Sequence, residues 1–137
     1  MKLSCNENSI RREDVERIND LLKQLPVEGE ISYNYLEAIM ASAVVFTIRD
    51  YRRSIVGMAT LAVVPTLTGR CGIIQDMVVD EDYRGRGLGK ELMKGILNKA
   101  RTLGLDKVIS PIMLPGLDNH KSFEIKDYCQ VTPCLAA

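Results

Sequence analysis

The chain has 137 residues, of which 46% are hydrophobic and 26% charged, a composition that is ordinary for a globular domain. This length suits one domain, so residues 1–137 are treated as a single unit. Eighteen basic residues balance eighteen acidic ones, so the chain lacks the basic excess that is typical of nucleic-acid-binding domains. No apolar run reaches the roughly 18 residues that a membrane span needs, and the polar N-terminus does not resemble a signal peptide. We therefore expect a cytoplasmic protein that binds neither nucleic acid nor membrane.

The cysteines do not indicate a metal site. They form no CxxC pair, and the chain has one histidine, His120. A zinc site needs ligands that are closer together in the sequence, so we expect no bound metal and reduced thiols. The four cysteines are Cys5, Cys71, Cys129 and Cys134.

Hydrophobic periodicity predicts a chain that alternates between strands and helices. A 3.6-residue period indicates helices, and runs of β-branched and aromatic residues indicate strands. In chain order the predicted elements are a strand at 1–5, helices at 10–25 and 31–42, strands at 43–51, 54–67 and 71–79, a helix from Leu88 to about Gly104, and a strand at 107–114. This order predicts an α/β (α+β) domain built around one sheet.

Two of the predicted strands contain residues that indicate where the strand lies in the sheet. The strand at 71–79 is apolar except at Gln75 and Asp76, so we expect it to be central and covered on both faces. Pro65 lies near the end of the preceding strand, where it predicts an edge position or a bend because proline has no N–H to donate.

The segment from Arg84 to Lys90, RGRGLGK, combines bare backbone with positive charge at the start of a predicted helix. Helix N-termini present unpaired N–H groups and a partial positive charge, and glycines allow a ligand to approach the backbone closely. These features suit a phosphate or pyrophosphate. A tight strand-to-helix turn with solvated arginines would give the same pattern.

Neither common nucleotide motif fits this segment. A P-loop would require a glycine at the position of Arg84 and Ser or Thr at the position of Glu91. The dinucleotide fingerprint GxGxxG would require one more residue before the last glycine, Gly89.

The segment Arg84–Gly89 instead resembles the R/Q-x-x-G-x-G/A motif of the GNAT superfamily of N-acetyltransferases. The whole stretch MVVDEDYRGRGLGKELM resembles the strand, loop and helix of that family. The resemblance implies a GNAT fold, which is a mixed and mostly antiparallel sheet flanked by helices, here with a shortened C-terminal end. It also implies acetyl-CoA as co-substrate.

The resemblance further implies which residues bind the coenzyme. The loop would hold the pyrophosphate, and the preceding strand would pair with the pantetheine arm and polarise the thioester carbonyl. Asn119 matches the family in a later segment. The implied coenzyme-binding residues are Met77, Val78, Val79, Arg84, Gly85, Arg86, Gly87, Leu88, Gly89, Lys90 and Asn119.

Asp76 is the candidate for the general base or for a contact to the acceptor amine. The stretch CGIIQDMVVDEDYRGRGLGKEL is similar to glucosamine-6-phosphate N-acetyltransferases, in which an acidic pair precedes the same type of segment. Here the pair is Gln75-Asp76, so one carboxylate is missing. The alternative is a structural aspartate that lies at a sheet edge or is hydrogen-bonded.

The C-terminal segment departs from the family at the catalytic acid. Aligned on Asn119, Phe123 falls where the family commonly has a tyrosine that protonates the coenzyme thiolate, and phenylalanine cannot donate a proton. His120 is a lone histidine in a polar loop, for which a solvent-facing role is the simpler interpretation.

Two functional hypotheses follow from the resemblance. The first is an N-acetyltransferase in which a primary amine attacks the acetyl-CoA thioester directly, the amine belonging to a small molecule or to a protein. The second is an acyl-CoA-binding module with little turnover, which Phe123 and the short C-terminal segment favour. The shortened end also predicts completion by a partner chain, and hence a homodimer.

Overall fold

The computed structural model describes residues 5–25, 29–110 and 121–124, and the side chains of residues 6–25 and 29–109. Short 3₁₀ turns at Arg12–Asp14 and Glu81–Tyr83 precede the first and third helices. The strands and helices are β1 (Cys5–Glu7), α1 (Val15–Leu22), α2 (Tyr33–Ser42), β2 (Ala43–Arg49), β3 (Ile55–Thr66), β4 (Gly69–Val79), α3 (Leu88–Thr102), β5 (Lys107–Ser110) and β6 (Lys121–Glu124).

The six strands form one sheet in the order β1-β2-β3-β4-β5-β6. Neighbouring strands are antiparallel except β4 and β5, which are parallel. A parallel pair needs a crossover connection, and α3 provides it. The predicted mixed, mostly antiparallel sheet flanked by helices is confirmed.

Apolar clusters cover both faces of the sheet. Successive residues of a strand point to opposite faces, so Val45 of β2 joins one cluster and Phe46 joins the other. One cluster packs against α3, and the other packs against α1 and α2. β4 contributes Ile74 to the first and Val78 to the second, which confirms that it is an interior strand covered on both faces.

The helix α3 follows its predicted periodicity. Its fully buried face consists of Leu88, Leu92, Met93, Ile96, Leu97 and Ala100. Left-handed glycines lie at both ends, Gly87 (φ 81°) at the N-cap and Gly104 (φ 71°) just beyond the last turn. These two glycines terminate the helix because L-residues rarely adopt such a conformation.

The first helix is shorter than predicted. The predicted span 10–25 begins with the 3₁₀ turn, and the α-helix covers only Val15–Leu22. Asp14 explains the irregular start, since its carboxylate accepts the backbone N–H of Arg11 at 2.8 Å and pairs with Arg49 at 2.8 Å. The Arg49 hydrogen bond lowers the pKa of Asp14. These contacts join the segment before α1 to the end of β2.

Pro65 occupies the kind of position that its chemistry predicts. Pairing between β2 and β3 ends at Ala43 and Ala62, so β3 beyond Ala62 has β4 alone as a neighbour in the described sheet. Pro65 lies in this outer stretch and is exposed. Its partner Arg70 turns its carbonyl away from β3 to accept the N–H of Asp106 at 2.9 Å, so the missing N–H of Pro65 disrupts no described ladder hydrogen bond.

Among the helices of the described residues, none is long and apolar enough to cross a membrane. Residues 5–25, 29–110 and 121–124 also contain no cluster of His, Cys, Asp and Glu side chains that could hold a metal ion.

Candidate active site

The N-terminus of α3 carries unpaired backbone donors. The first intrahelical bond runs from the N–H of Glu91 to the carbonyl of Gly87 at 3.1 Å. The N–H groups of Leu88, Gly89 and Lys90 therefore have no acceptor within the helix. No side chain caps them from Gly87, which has none. The start of α3 thus offers three donors and the positive end of the helix dipole to an incoming anion.

The glycines before α3 are required by backbone conformation. Gly85 (φ 79°) and Gly87 (φ 81°) both lie in the left-handed region. A Cβ added at either residue, or at Gly89, would meet no atom within 4 Å. The space in front of this backbone is open, so a ligand can approach it directly.

The three basic side chains of the loop have different surroundings. Arg84 turns back onto the protein, where its Nε donates to the carbonyl of Val79 at 3.1 Å and its Nη2 donates to Gln24 at 3.1 Å. The guanidinium of Arg86 lies over the ring of Tyr83, 4.9 Å from its centroid. Lys90 is exposed and forms no ion pair with the described residues. Of the three, only Arg84 is hydrogen-bonded to other described residues, whereas Arg86 and Lys90 are exposed.

Asp80 fixes the start of the loop between β4 and α3. Its side chain is buried and pairs with Arg17, its backbone N–H donates to the carbonyl of Val56 at 2.8 Å, and its Oδ1 accepts the N–H of Asp82 at 3.0 Å. The hydrogen bond from Arg17, followed by the one from Asp82, lowers the pKa of Asp80. The carboxylate is thus held ionised as an anchor for the loop.

Tyr83 attaches the middle of the loop to the β2–β3 turn. Its hydroxyl donates to Asp50 Oδ2 at 3.2 Å. The other oxygen of Asp50 accepts the backbone N–H groups of Arg52 at 2.8 Å and Ser54 at 3.0 Å. The loop is therefore held on one side by α1 and on the other by this turn.

One edge of β4 is open beside the loop. Pairing between β4 and β5 ends at Ile73 and Ile109, and within the described residues no strand pairs with the β5-facing edge of β4 beyond Ile73. Since Asp80 donates to Val56, the next pair, Gly57 and Val79, is of the non-hydrogen-bonded type. The main chain of Val79 therefore points toward the open edge.

The same alternation turns the main chain of Val78 toward Met58 on β3. The carbonyl of Val79 already accepts the hydrogen bond from Arg84, which leaves the N–H of Val79 for a ligand. Of the three residues that the family resemblance assigns to the pantetheine arm, Val79 has the most suitable orientation.

Asp76 lies at a β-bulge that the sequence analysis did not predict. Thr60 pairs with Gln75 and Met58 pairs with Val78, so Asp76 and Met77 together oppose one residue of β3. Asp76 adopts φ 54°, a left-handed conformation that Asp and Asn tolerate better than most residues. The aspartate in an apolar strand was the available signal for the bulge.

Asp76 lacks the contacts of a hydrogen-bonded structural aspartate. Its side chain is exposed, and it forms no hydrogen bond or ion pair with the described residues. Nearby protein atoms displace part of its hydration, and this desolvation raises its pKa above the ordinary value of 3.8. The described contacts give no support to the hydrogen-bonded structural alternative.

The C-terminal site residues are only partly described. Asn119 and His120 lie outside the described residues. The backbone of Phe123 belongs to β6 and pairs with Val108 of β5, which places it two strands from β4. Nothing in the described atoms locates its side chain.

Comparisons with known proteins identify the family and the fold. The sequence profile of the acetyltransferase (GNAT) family matches residues 15–124. A glucosamine 6-phosphate N-acetyltransferase of Trypanosoma brucei brucei is 32% identical over 114 residues, covering 80% of this chain and 78% of the relative. A crystal structure of a Trypanosoma brucei acetyltransferase superposes with a TM-score of 0.68 at 28% identity, covering 78% of this chain and 82% of that one. A predicted acetyltransferase of Clostridium acetobutylicum, crystallised with acetyl-CoA, shares the fold with a TM-score of 0.62 at 19% identity over 80% of each chain.

Proposed function

Because the chain belongs to the GNAT acetyltransferase family, we propose that it transfers the acetyl group of acetyl-CoA to a primary amine. The observation that carries this proposal is the arrangement around β4. An uncapped helix N-terminus behind two left-handed glycines lies directly after the open edge of β4 and its bulge at Asp76. One end of this arrangement suits a pyrophosphate, and the other suits an amine.

The residues present fit a coenzyme A pyrophosphate. The N–H groups of Leu88, Gly89 and Lys90 would donate to its oxygens, with the dipole of α3 adding to the attraction. Lys90 is the third residue of α3, and its side chain is exposed. It forms no ion pair with the described residues that would compete for a phosphate. The open edge of β4 would take the pantetheine arm through main-chain hydrogen bonds.

Acetyl-CoA supplies the acetyl group as a thioester, and the chain's own residues handle the proton and the developing charge. The acceptor must lose a proton for its nitrogen to attack the carbonyl. Asp76 would hold the ammonium and accept that proton, and its raised pKa makes it a better base than an ordinary aspartate. A backbone N–H of β4 would donate to the carbonyl oxygen as negative charge develops there.

The departing thiolate needs either a proton donor or water. Phe123 stands at the position of the family's usual tyrosine and cannot supply a proton. We propose that solvent protonates the thiolate.

The similarity to a glucosamine 6-phosphate N-acetyltransferase supports an amino-sugar phosphate as the proposed acceptor class. An amino-sugar phosphate is therefore the first acceptor to test. An ammonium group on such a sugar would be attracted to the single exposed carboxylate at Asp76. Amines of proteins remain within the same chemistry.

A panel of amines tests the proposal. The protein would be incubated with acetyl-CoA and glucosamine 6-phosphate, glucosamine, small polyamines or lysine peptides, and free thiol would be measured over time. We expect release above the no-amine rate with one class of acceptor. Binding of acetyl-CoA without amine-dependent release from any member of the panel would favour a non-catalytic binding module.

A further inference from the structure

Gln24 connects the end of α1 to the loop between β4 and α3. Its Oε1 accepts the backbone N–H of Glu81 at 3.1 Å and the Nη2 of Arg84 at 3.1 Å. Both partners are donors, so the amide oxygen is the side-chain atom that can bond both of them. Gln24 lies two residues beyond the last residue of α1, and its side chain is half-buried.

Arg84 extends this contact to the end of β4. Its Nε donates to the carbonyl of Val79 at 3.1 Å while its Nη2 donates to Gln24. One planar guanidinium therefore ties the last residue of β4 to the end of α1, immediately before Gly85. The side chain of Arg84, a residue that the sequence associates with phosphate binding, is thus also part of the support of the loop.

The helix α1 is itself firmly attached, so Gln24 is a fixed point. Arg17 donates to the carbonyl of Ile55 at 2.8 Å and pairs with the buried carboxylate of Asp80. Ile18 and Leu21 are fully buried between these polar contacts. The segment Asp80–Arg84 is thus bonded to α1 at its start through Arg17 and at Glu81 and Arg84 through Gln24.

We propose that Gln24 is a positioning residue for the coenzyme. By holding Glu81 and Arg84, it fixes the backbone that leads into Gly85 and Gly87, so that the free N–H groups of α3 are already oriented for the pyrophosphate. A loop ordered before binding does not lose that conformational freedom on binding, which favours affinity. This inference rests on the proposed use of acetyl-CoA.

The test compares acetyl-CoA affinity, measured by calorimetric titration, among matched variants. Gln24→Leu keeps a similar side-chain volume but removes the acceptor, and we expect its dissociation constant to rise about tenfold. Gln24→Glu keeps an oxygen for both donors and should stay within about threefold of the parent. Lys23→Ala is the control, because Lys23 is the preceding residue and its described ion pair is with Asp20, not with the loop.

The melting temperature without coenzyme separates positioning from general stability. A purely structural Gln24 would give a lower melting temperature in Gln24→Leu with the parent's affinity, and this result would overturn the inference. Equal affinity in Gln24→Leu and the parent would do the same. If the parent itself does not bind acetyl-CoA, the proposed function fails first, so the two failures are distinguishable.

A double-mutant cycle tests whether Gln24 acts through Arg84. Gln24→Leu and Arg84→Met should each weaken acetyl-CoA binding, and the double variant should be weaker than the parent by less than the product of the two single effects. Independent, multiplicative effects would contradict a shared positioning role.

Discussion

Asp76 combines an unusual backbone with an unpaired carboxylate. Its left-handed conformation (φ 54°) arises from the bulge, at which two residues of β4 oppose one residue of β3. The same conformation turns the strand locally and interrupts its regular pleat. The carboxylate is exposed but partly desolvated by neighbouring protein atoms, and it has no hydrogen-bond or ion-pair partner among the described residues.

We expect Asp76→Asn to lower turnover about 100-fold or more while acetyl-CoA affinity changes little. Asparagine also tolerates the left-handed conformation, so the substitution removes the charge and leaves the bulge intact. Steady-state kinetics at saturating acetyl-CoA would measure the effect. Gln75→Ala is the neighbouring control and should keep most of the activity if Asp76 carries the chemistry.

The raised pKa of Asp76 gives this prediction a pH dependence. As the pH falls through that pKa, the base becomes protonated and activity is lost. Because the pKa is raised, this loss on acidification should occur at a higher pH than it would for an aspartate with the ordinary pKa of 3.8. A raised pKa in the folded state also means that ionised Asp76 weakens folding as the pH rises through it. At neutral pH, Asp76→Asn should therefore be at least as stable as the parent. A less stable Asn variant with a proportionate loss of activity would contradict the catalytic role.

The buried hydroxyl of Thr47 is a site at which a substitution should increase stability. It is fully buried on β2, and its hydroxyl has no hydrogen-bond partner in the described structure. Thr47→Val removes the unpaired hydroxyl and keeps the β-branched shape, so we expect a gain of about 1 kcal/mol in the free energy of unfolding. Denaturant titration measures it. Thr60→Val, at a half-buried position of the neighbouring strand β3, should change stability by less. A loss of stability in Thr47→Val would show that the hydroxyl of Thr47 has a partner after all.

At the scale of secondary-structure elements, α3 offers a matched comparison between its two ends. Gly87 and Gly104 both have positive φ, and at both a new Cβ would meet no atom within 4 Å. The 15 residues of α3 separate them by about 22 Å along the helix axis. Both positions therefore require a left-handed backbone conformation, but only Gly87 lies next to the proposed pyrophosphate site.

We expect Gly87→Val and Gly104→Val to lower stability by similar amounts, on the order of 1–2 kcal/mol each, because both force an L-residue into the left-handed region. Gly87→Val should also abolish acetyl-CoA binding by obstructing approach to the N–H groups of α3. Gly104→Val should bind like the parent. Calorimetric titration at a temperature where both variants are folded is the measurement, and equal affinity of the two variants would place the phosphate site elsewhere.

The elements that the sequence predicts well are those whose hydrophobic pattern follows directly from how they are buried. The period of α3 is visible because its buried face packs against a single sheet, and the apolar run of β4 reflects burial on both faces. The left-handed glycines at the two ends of α3 follow from local conformational preference. Local sequence therefore predicts the order of elements and the position of the glycine-rich loop before α3.

The features that the sequence does not predict depend on contacts between distant residues. The bulge at Asp76 follows from the register between β3 and β4, which no local pattern specifies. Gln24 supports the loop through two partners that are distant in the chain: Glu81 is 57 positions away and Arg84 is 60 positions away. The 3₁₀ start before α1 depends on Arg49, which is 35 positions from Asp14.

At the scale of the whole molecule, three features lie along one strand-loop-helix unit: the bulge of β4, the open edge of β4 and the N-terminus of α3. The rest of the fold holds this unit on both sides. Arg17 and Gln24 hold the loop from α1, and Asp50 holds it from the β2–β3 turn. This support is consistent with a site that binds the coenzyme at one end and performs chemistry at the other. A binding module would need the first end but not the exposed carboxylate at Asp76.

The stoichiometry of acetyl transfer tests this account most directly. The parent protein would be mixed with acetyl-CoA and the best acceptor of the amine panel, and free thiol and acetylated amine would be quantified in the same samples by mass spectrometry. We predict one acetylated amine for each thiol released, with loss of both products in Gly87→Val and strong reduction of both in Asp76→Asn. Coenzyme binding with no acetylated amine, or thiol release that does not depend on the amine, would contradict the account.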